Sequence, residues 1–127
     1  MKNSALEDSI AVLPFRNMSS DSEKEYFSDG VTEEIINSLT KVEGLNVIAR
    51  SSAFMFKGQD VDPREVGKQL NVAYVLEGSV RKYGNKVRVS AQLIKAWDGF
   101  HMFSEVYDEE LKDIFQVQDD ISKKIVR

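Results

Sequence analysis

Residues 72–96 hold two alternating runs, VAYVLEGSVRK and VRVSAQLIKA, on either side of a Gly-Asn turn signal. Tyr74, Leu76, Gly78 and Val80 share one parity; Val87, Val89, Ala91 and Leu93 share another. A two-residue loop at Gly84-Asn85 sets Val80 opposite Val89, Gly78 opposite Ala91 and Leu76 opposite Leu93. All of these positions then face one way, so pattern and turn agree on a single register. A hairpin with one apolar face is marginal in water and demands helices or further strands against that face. Its other face pairs Glu77 with Gln92, Ser79 with Ser90 and Arg81 with Arg88. Like charges directly opposite are unfavourable. Either both stems splay into solvent, or an anion, Glu77 or an acid of the final helix lies between them. Arg81 and Arg88 are therefore candidate surface contacts.

Upstream, the apolar run at residues 10–13 closed by Pro14 suits a strand buried on both faces. A polar loop follows. Phe27, Val31, Ile35, Leu39 and Val42 then step at helical spacing, with Ser28 or Asp29 as cap, Glu33-Glu34 near the positive end of the dipole and Gly44 as stop. Residues 45–50 (LNVIAR) form a second strand. Strand, helix, strand makes a βαβ unit with a parallel pair and a right-handed crossover. Residues 51–59 read as a loop. Asp62 as N-cap, Pro63 at the first helical position, Glu65 completing a capping box and a Val61–Val66 staple open a short helix that Asn71 closes.

After the hairpin, Trp97-Asp98-Gly99 marks a turn and residues 100–107 a further strand. A two-residue Asp-Gly loop sets Ile94 against Phe103 but Leu93 against Ser104, so the register of that strand stays open. Leu111, Ile114, Val117, Ile121 and Ile125 make a last helical stripe starting at Asp108 or Asp113. The expected fold class is α/β: a single domain, a mixed five-stranded sheet (βαβ unit, then antiparallel meander) and three helices, over residues 9–127 behind a flexible leader at residues 1–8. The expected core is Ile10, Val12, Leu13, Ile35, Leu39, Val47, Leu70, Leu76, Val80, Val89, Leu93 and Ile121.

The chain has 127 residues, a net charge of −4 and no cysteine. That balance speaks against nucleic acid, which wants a basic face. No apolar run approaches the ~20 residues of a membrane span, so direct membrane insertion is not expected. Without cysteine there are no disulfides or thiolate ligands. The compartment, cytoplasmic or periplasmic, would follow from a membrane span in the parent protein.

His101 is the only histidine and there is no cysteine, so a zinc site, which wants several nitrogen or sulfur ligands, is not expected. No Walker sequence, G-x-G-x-x-G or nucleophile elbow is present. Adjacent Glu33-Glu34 point in different directions and cannot address one substrate. No catalytic residues, metal site or cofactor are expected. One binding candidate survives. Ligands of a βαβ unit favour the crevice beyond the carboxyl ends of its strands. Those ends carry Arg16, Asn17, Ser19 and Ser20, then Arg50, Ser51, Ser52 and Lys57. Beside a helix amino terminus they offer a place for a small anion, a nucleotide or a carboxylate-bearing peptide. An exposed edge strand offers another route, to an extended peptide or to a homodimer.

The words SIAVLPF, EYFSDGVTEEIINSL, VIARSSAFMFKG and NVAYVLEGSVRK resemble the TolB amino-terminal-like domain. The likeness is greatest to its variant in bacterial adenylate/guanylate cyclase–tetratricopeptide-repeat proteins. It covers residues 9–126. It implies a mixed sheet flanked by helices and no catalysis by this domain. It further implies a non-enzymatic module for protein contact or signal sensing in a larger signalling protein, with a protein or peptide partner, including neighbouring domains of the parent. Its motif positions here are Asp29, Gly30, Glu33, Ala73, Glu77, Gly78 and Ser79.

Overall fold

The structure is a computed structural model that describes residues 6–19 and 24–126. β1 (Leu6–Val12) runs parallel to both β3 (Asn46–Val47) and β4 (Val72–Tyr83). β4, β5 (Lys86–Lys95) and β6 (His101–Glu110) form the antiparallel meander. The order is β3-β1-β4-β5-β6, with the two-residue β2 (Arg16–Asn17) alongside β4. The sheet therefore has six strands where five were expected. The helices are α1 (Glu25–Thr40), α2 (Arg50–Ala53), α3 (Pro63–Leu70) and α4 (Ile114–Ile125), four rather than three. α2 and the 3-10 turn Phe54–Phe56 occupy a stretch expected to be loop. β1 begins at Leu6, so three residues assigned to a leader belong to the sheet.

The hairpin register is the expected one: Leu76↔Leu93, Gly78↔Ala91, Val80↔Val89 and Arg81↔Arg88. The open register of β6 resolves as Leu93↔Phe103, with an irregularity between Leu93 and Ile94 that brings Ile94 opposite His101. The extra residue lets the Trp97–Gly99 turn close (Gly99 at φ +80°) while Leu93 keeps an aromatic partner.

Two cores flank the sheet. On one face, α1 and α4 bury Ile35, Leu39, Val117 and Ile121 against Leu76, Val80, Val89 and Leu93. On the other, Val66 of α3 and Ala53 of α2 bury Ala11, Leu13, Val75 and Ala96. Val47 and Leu70, expected in the core, are only partly buried. Gly67 of α3 has no room for a side chain, because a Cβ there would overlap the Ala96 methyl. α3 starts as its sequence dictates: Asp62 accepts from the Arg64 amide at 2.9 Å, and Asn71 closes the helix at φ 56°. α1 starts earlier than expected, so Ser28 and Asp29 lie inside it rather than at its cap, and Glu33 and Glu34 lie at its middle rather than near the positive end of its dipole. α4 starts after Asp113; Asp108 belongs to β6.

The segment leaving β1 is held at three points. Phe15 is buried, its amide donates to Thr32 Oγ1 of α1 (2.9 Å), and Thr32 in turn donates to the Ser28 carbonyl (3.0 Å). Beyond it, the Met18 amide donates to the Val80 carbonyl at 2.8 Å. This fixes β2 beside Ser79 and Val80 and so sets where Arg16 and Asn17 stand.

Candidate functional site

α2 and α3 cover only the part of their sheet face near the start of β4. Beyond them Glu77, Ser79, Arg81, Arg88, Ser90 and Gln92 project with no helix above them among the described residues. The segment after β1 and the segment between α2 and α3 rise along one side of this bare half. Together they form an open cleft of about 760 Å³. Its floor is Glu77, Ser79, Ser90 and Gln92; its walls include Arg16, Asn17, Lys57 and Asp60.

The expected crevice is thus present, but it gathers only part of the predicted set. Arg16, Asn17 and Lys57 line it. Ser19 turns away and accepts from the Lys82 amide at 2.9 Å. Ser20 lies outside the described residues. Arg50, Ser51 and Ser52 sit on α2, outside the cleft: Arg50 Nε donates to Glu33 at 2.7 Å and its guanidinium stacks 3.9 Å from the Phe54 ring centroid.

The cations of this set are answered by carboxylates of the chain. Arg16 meets Asp60 at 3.1 Å; Lys57 meets Asp29 at 2.5 Å and Glu25 at 3.4 Å. The Asp29 hydrogen bond leads in raising the Lys57 ammonium above its ordinary value. Burial pushes the Glu77 carboxyl up, opposed by the positive charge of Arg16. Asp29 and Glu33, both motif positions of the resemblance, therefore clamp α1 to the α2 region.

Arg88 is held by Asp108 of β6 through two hydrogen bonds, 2.6 and 3.1 Å, and the Asp108 carboxyl is lowered accordingly. Of the alternatives for the arginine pair, no bridge by Glu77 or by the last helix is seen among the described residues; Asp108 of the neighbouring strand takes Arg88 alone. Arg81 is exposed, and no ion pair among the described residues holds it. His101 Nε2 lies 3.0 Å from Gln92 Oε1. Among the described residues no group of three or more His, Cys, Asp or Glu is arranged to hold a metal ion, and no helix is long and apolar enough to cross a membrane. Glu77, Ser79, Ser90, Gln92 and Asp60 are among the cleft residues missing from the predicted set. The first four were legible as the polar face of the hairpin; Asp60 shares a loop with Lys57.

Residues 6–124 match the family described as HilA/YgeH-like transcriptional regulator, second domain. A Rhizobium meliloti (strain 1021) protein named "Putative adenylate cyclase 3" is 55% identical over 118 residues, which are 93% of this chain and 20% of that protein. The chain thus spans one fifth of the length of that relative. Among solved structures, lipoprotein GNA1162 from Neisseria meningitidis matches 94% of this chain and 97% of its own at TM-score 0.68 and 19% identity. TolB from Acinetobacter baumannii matches 95% of this chain and 28% of its own at TM-score 0.66 and 17% identity. The LpoB C-terminal domain from Salmonella enterica matches 84% of each at TM-score 0.64 and 16% identity. These likenesses establish a TolB-like and LpoB-like fold.

Proposed function

Because the chain belongs to the family of the HilA/YgeH-like transcriptional regulator second domain, we propose that it is a non-catalytic regulatory module that works by contact with a protein or peptide segment. The parent we envisage is a larger bacterial signalling protein, an adenylate cyclase among the options in view of the Rhizobium relative's name. Neighbouring domains of that parent are candidate partners. The observation that carries this reading is the half of the sheet that no helix covers among the described residues, polar in composition and bordered by the cleft. A soluble domain that leaves a shaped concave surface beside a bare sheet face has somewhere for another chain to lie.

The small-anion or nucleotide reading draws less support. An anion entering the cleft would have to displace Asp60 from Arg16 and Asp29 from Lys57, and it would meet Glu77 on the floor. Thermal-shift measurement separates the two. A ligand present at one hundred times its Kd raises stability by about 2.7 kcal/mol. The contact reading expects no rise in melting temperature with nucleotides, phosphate or small carboxylates. A rise that Arg16→Ala removes would replace it with the anion reading.

A further inference from the structure

β6 is the last strand of the sheet, and among the described residues nothing pairs with its outer side. The hydrogen-bond parity of that side follows from two observations. The Leu111 amide donates to the Asn85 carbonyl at 2.6 Å, and the ladder from Lys86↔Glu110 to Leu93↔Phe103 runs without a shift. In an antiparallel pair, residues alternate between those that exchange both backbone bonds with the partner and those that point both away. Phe103, Glu105, Tyr107 and Glu109 therefore bond inward to β5. Ser104, Val106, Asp108 and Glu110 turn their N–H and C=O groups outward. The bond from the Ala96 amide to the Ala73 carbonyl, 2.8 Å, checks this independently. It places the even-numbered residues of β5 toward β4, leaving the odd-numbered ones for β6.

The chemistry of this edge is one-sided. Glu105, Asp108, Glu109 and Glu110 put four carboxylates within six residues, and β6 has no lysine or arginine. Three of them meet exposed cations of other elements: Glu105 with Lys124 (2.9 Å), Asp108 with Arg88 (2.6 Å) and Glu110 with Lys112 (3.8 Å). Such solvent-facing pairs hold weakly and can be shared. Glu109 has no ion-pair partner among the described residues. Val106, 59% exposed, adds an apolar point in the middle of the strand.

We propose that β6 is extended by a strand from a partner, an extended segment bearing lysine or arginine, bonded through the backbones of Ser104, Val106, Asp108 and Glu110. A strand supplies the donors and acceptors that these four residues turn outward, and its cations complement the carboxylates on both faces. A second copy of the chain fits less well, because it brings the same carboxylates to the seam. The proposal rests on the reading of the domain as a contact module and adds a second surface to it.

The test follows amide exchange in the isotopically labelled domain. The probes are an acetylated ten-residue peptide of alternating lysine and valine, and the same peptide with glutamate for lysine. Without peptide, the amides of Ser104, Val106, Asp108 and Glu110 exchange fast, while those of Glu105, Tyr107 and Glu109 are protected. The lysine peptide is expected to slow the four outward amides by about tenfold or more. The glutamate peptide is not. Val106→Pro removes one outward N–H and no ladder bond, so the fold should survive while affinity for the lysine peptide falls about tenfold. Unchanged exchange at the four positions overturns the proposal. So does equal protection by the glutamate peptide, or protection in the free domain from a dimer that Val106→Pro dissolves. The readout is confined to the edge, so any of these results leaves the cleft to its own experiment.

Discussion

The Phe15 ring occupies the space that a side chain at Gly78 would fill. A Cβ on Gly78 would lie 2.6 Å from Phe15 Cε2 and would overlap the Ser90 carbonyl oxygen. This contact joins the segment after β1 to the centre of β4, and the cleft wall is built on it. The glycine makes room for an aromatic side chain rather than for a helix. Gly78→Ala should destabilise the domain by about 3 kcal/mol, since overpacking forces the ring and the strand apart. Phe15→Ala should cost about 3–5 kcal/mol through the cavity it leaves. Urea unfolding of both variants checks this; a neutral Gly78→Ala would mean the ring is free to move aside.

Lys57 ties the segment before α3 to α1 through Asp29 and Glu25. One carboxylate oxygen of Asp29 is buried without a hydrogen-bond partner among the described residues, and the other meets Lys57. Lys57→Met should cost about 1 kcal/mol, the upper end for a solvent-facing pair. Asp29→Asn should recover part of the loss in the double variant. Additive effects in denaturant unfolding would show that the two side chains act separately. The Lys57 ammonium is raised in the folded state, so its contribution is full below its ordinary value and fades as pH climbs through the raised one.

Glu77 has the opposite sense. Burial raises its carboxyl, so the folded domain holds the proton more tightly than the unfolded chain does. The cost of its charge is present above the raised value and disappears as pH falls below the ordinary one. Glu77→Gln should therefore raise the melting temperature at neutral pH, with the gain vanishing under acid conditions. A lower melting temperature at neutral pH would show that attraction to Arg16 outweighs burial.

Asp62 and Asp108 are both lowered, each first by a hydrogen bond from an arginine, Arg64 and Arg88 respectively. Their contributions are complete above the ordinary carboxylate range and are lost as pH falls through their depressed values. Acid unfolding of Asp62→Asn and Asp108→Asn should be less steep over that window than unfolding of the parent. Identical profiles would mean that neither pair survives in solution.

What the sequence disclosed follows from where the physics is local. The β4–β5 register was legible because a two-residue turn and a period-two pattern overdetermine it. The α3 start was legible because Asp62, Pro63 and Val66 each act within one turn. The β6 register was not, because the irregularity after Leu93 breaks the parity that a reader extrapolates. α2 was missed because RSSA carries no apolar period. The expectation of an anion at Arg16, Arg50 and Lys57 rests on strand-end topology and loop composition, neither of which shows the carboxylates that answer these cations. Their carboxylate partners lie 17 to 44 residues away in sequence, and only the fold brings them together.

The most direct test of contact as the mode of action is photo-crosslinking inside the producing cell. A benzoylphenylalanine at position 90, on the cleft floor, is compared with one at Asn37 on the exposed side of α1. The account predicts a discrete protein adduct from position 90, absent from position 37 and lost when Ser79→Trp fills the cleft. No adduct from position 90, or one indifferent to the filled cleft, would contradict it.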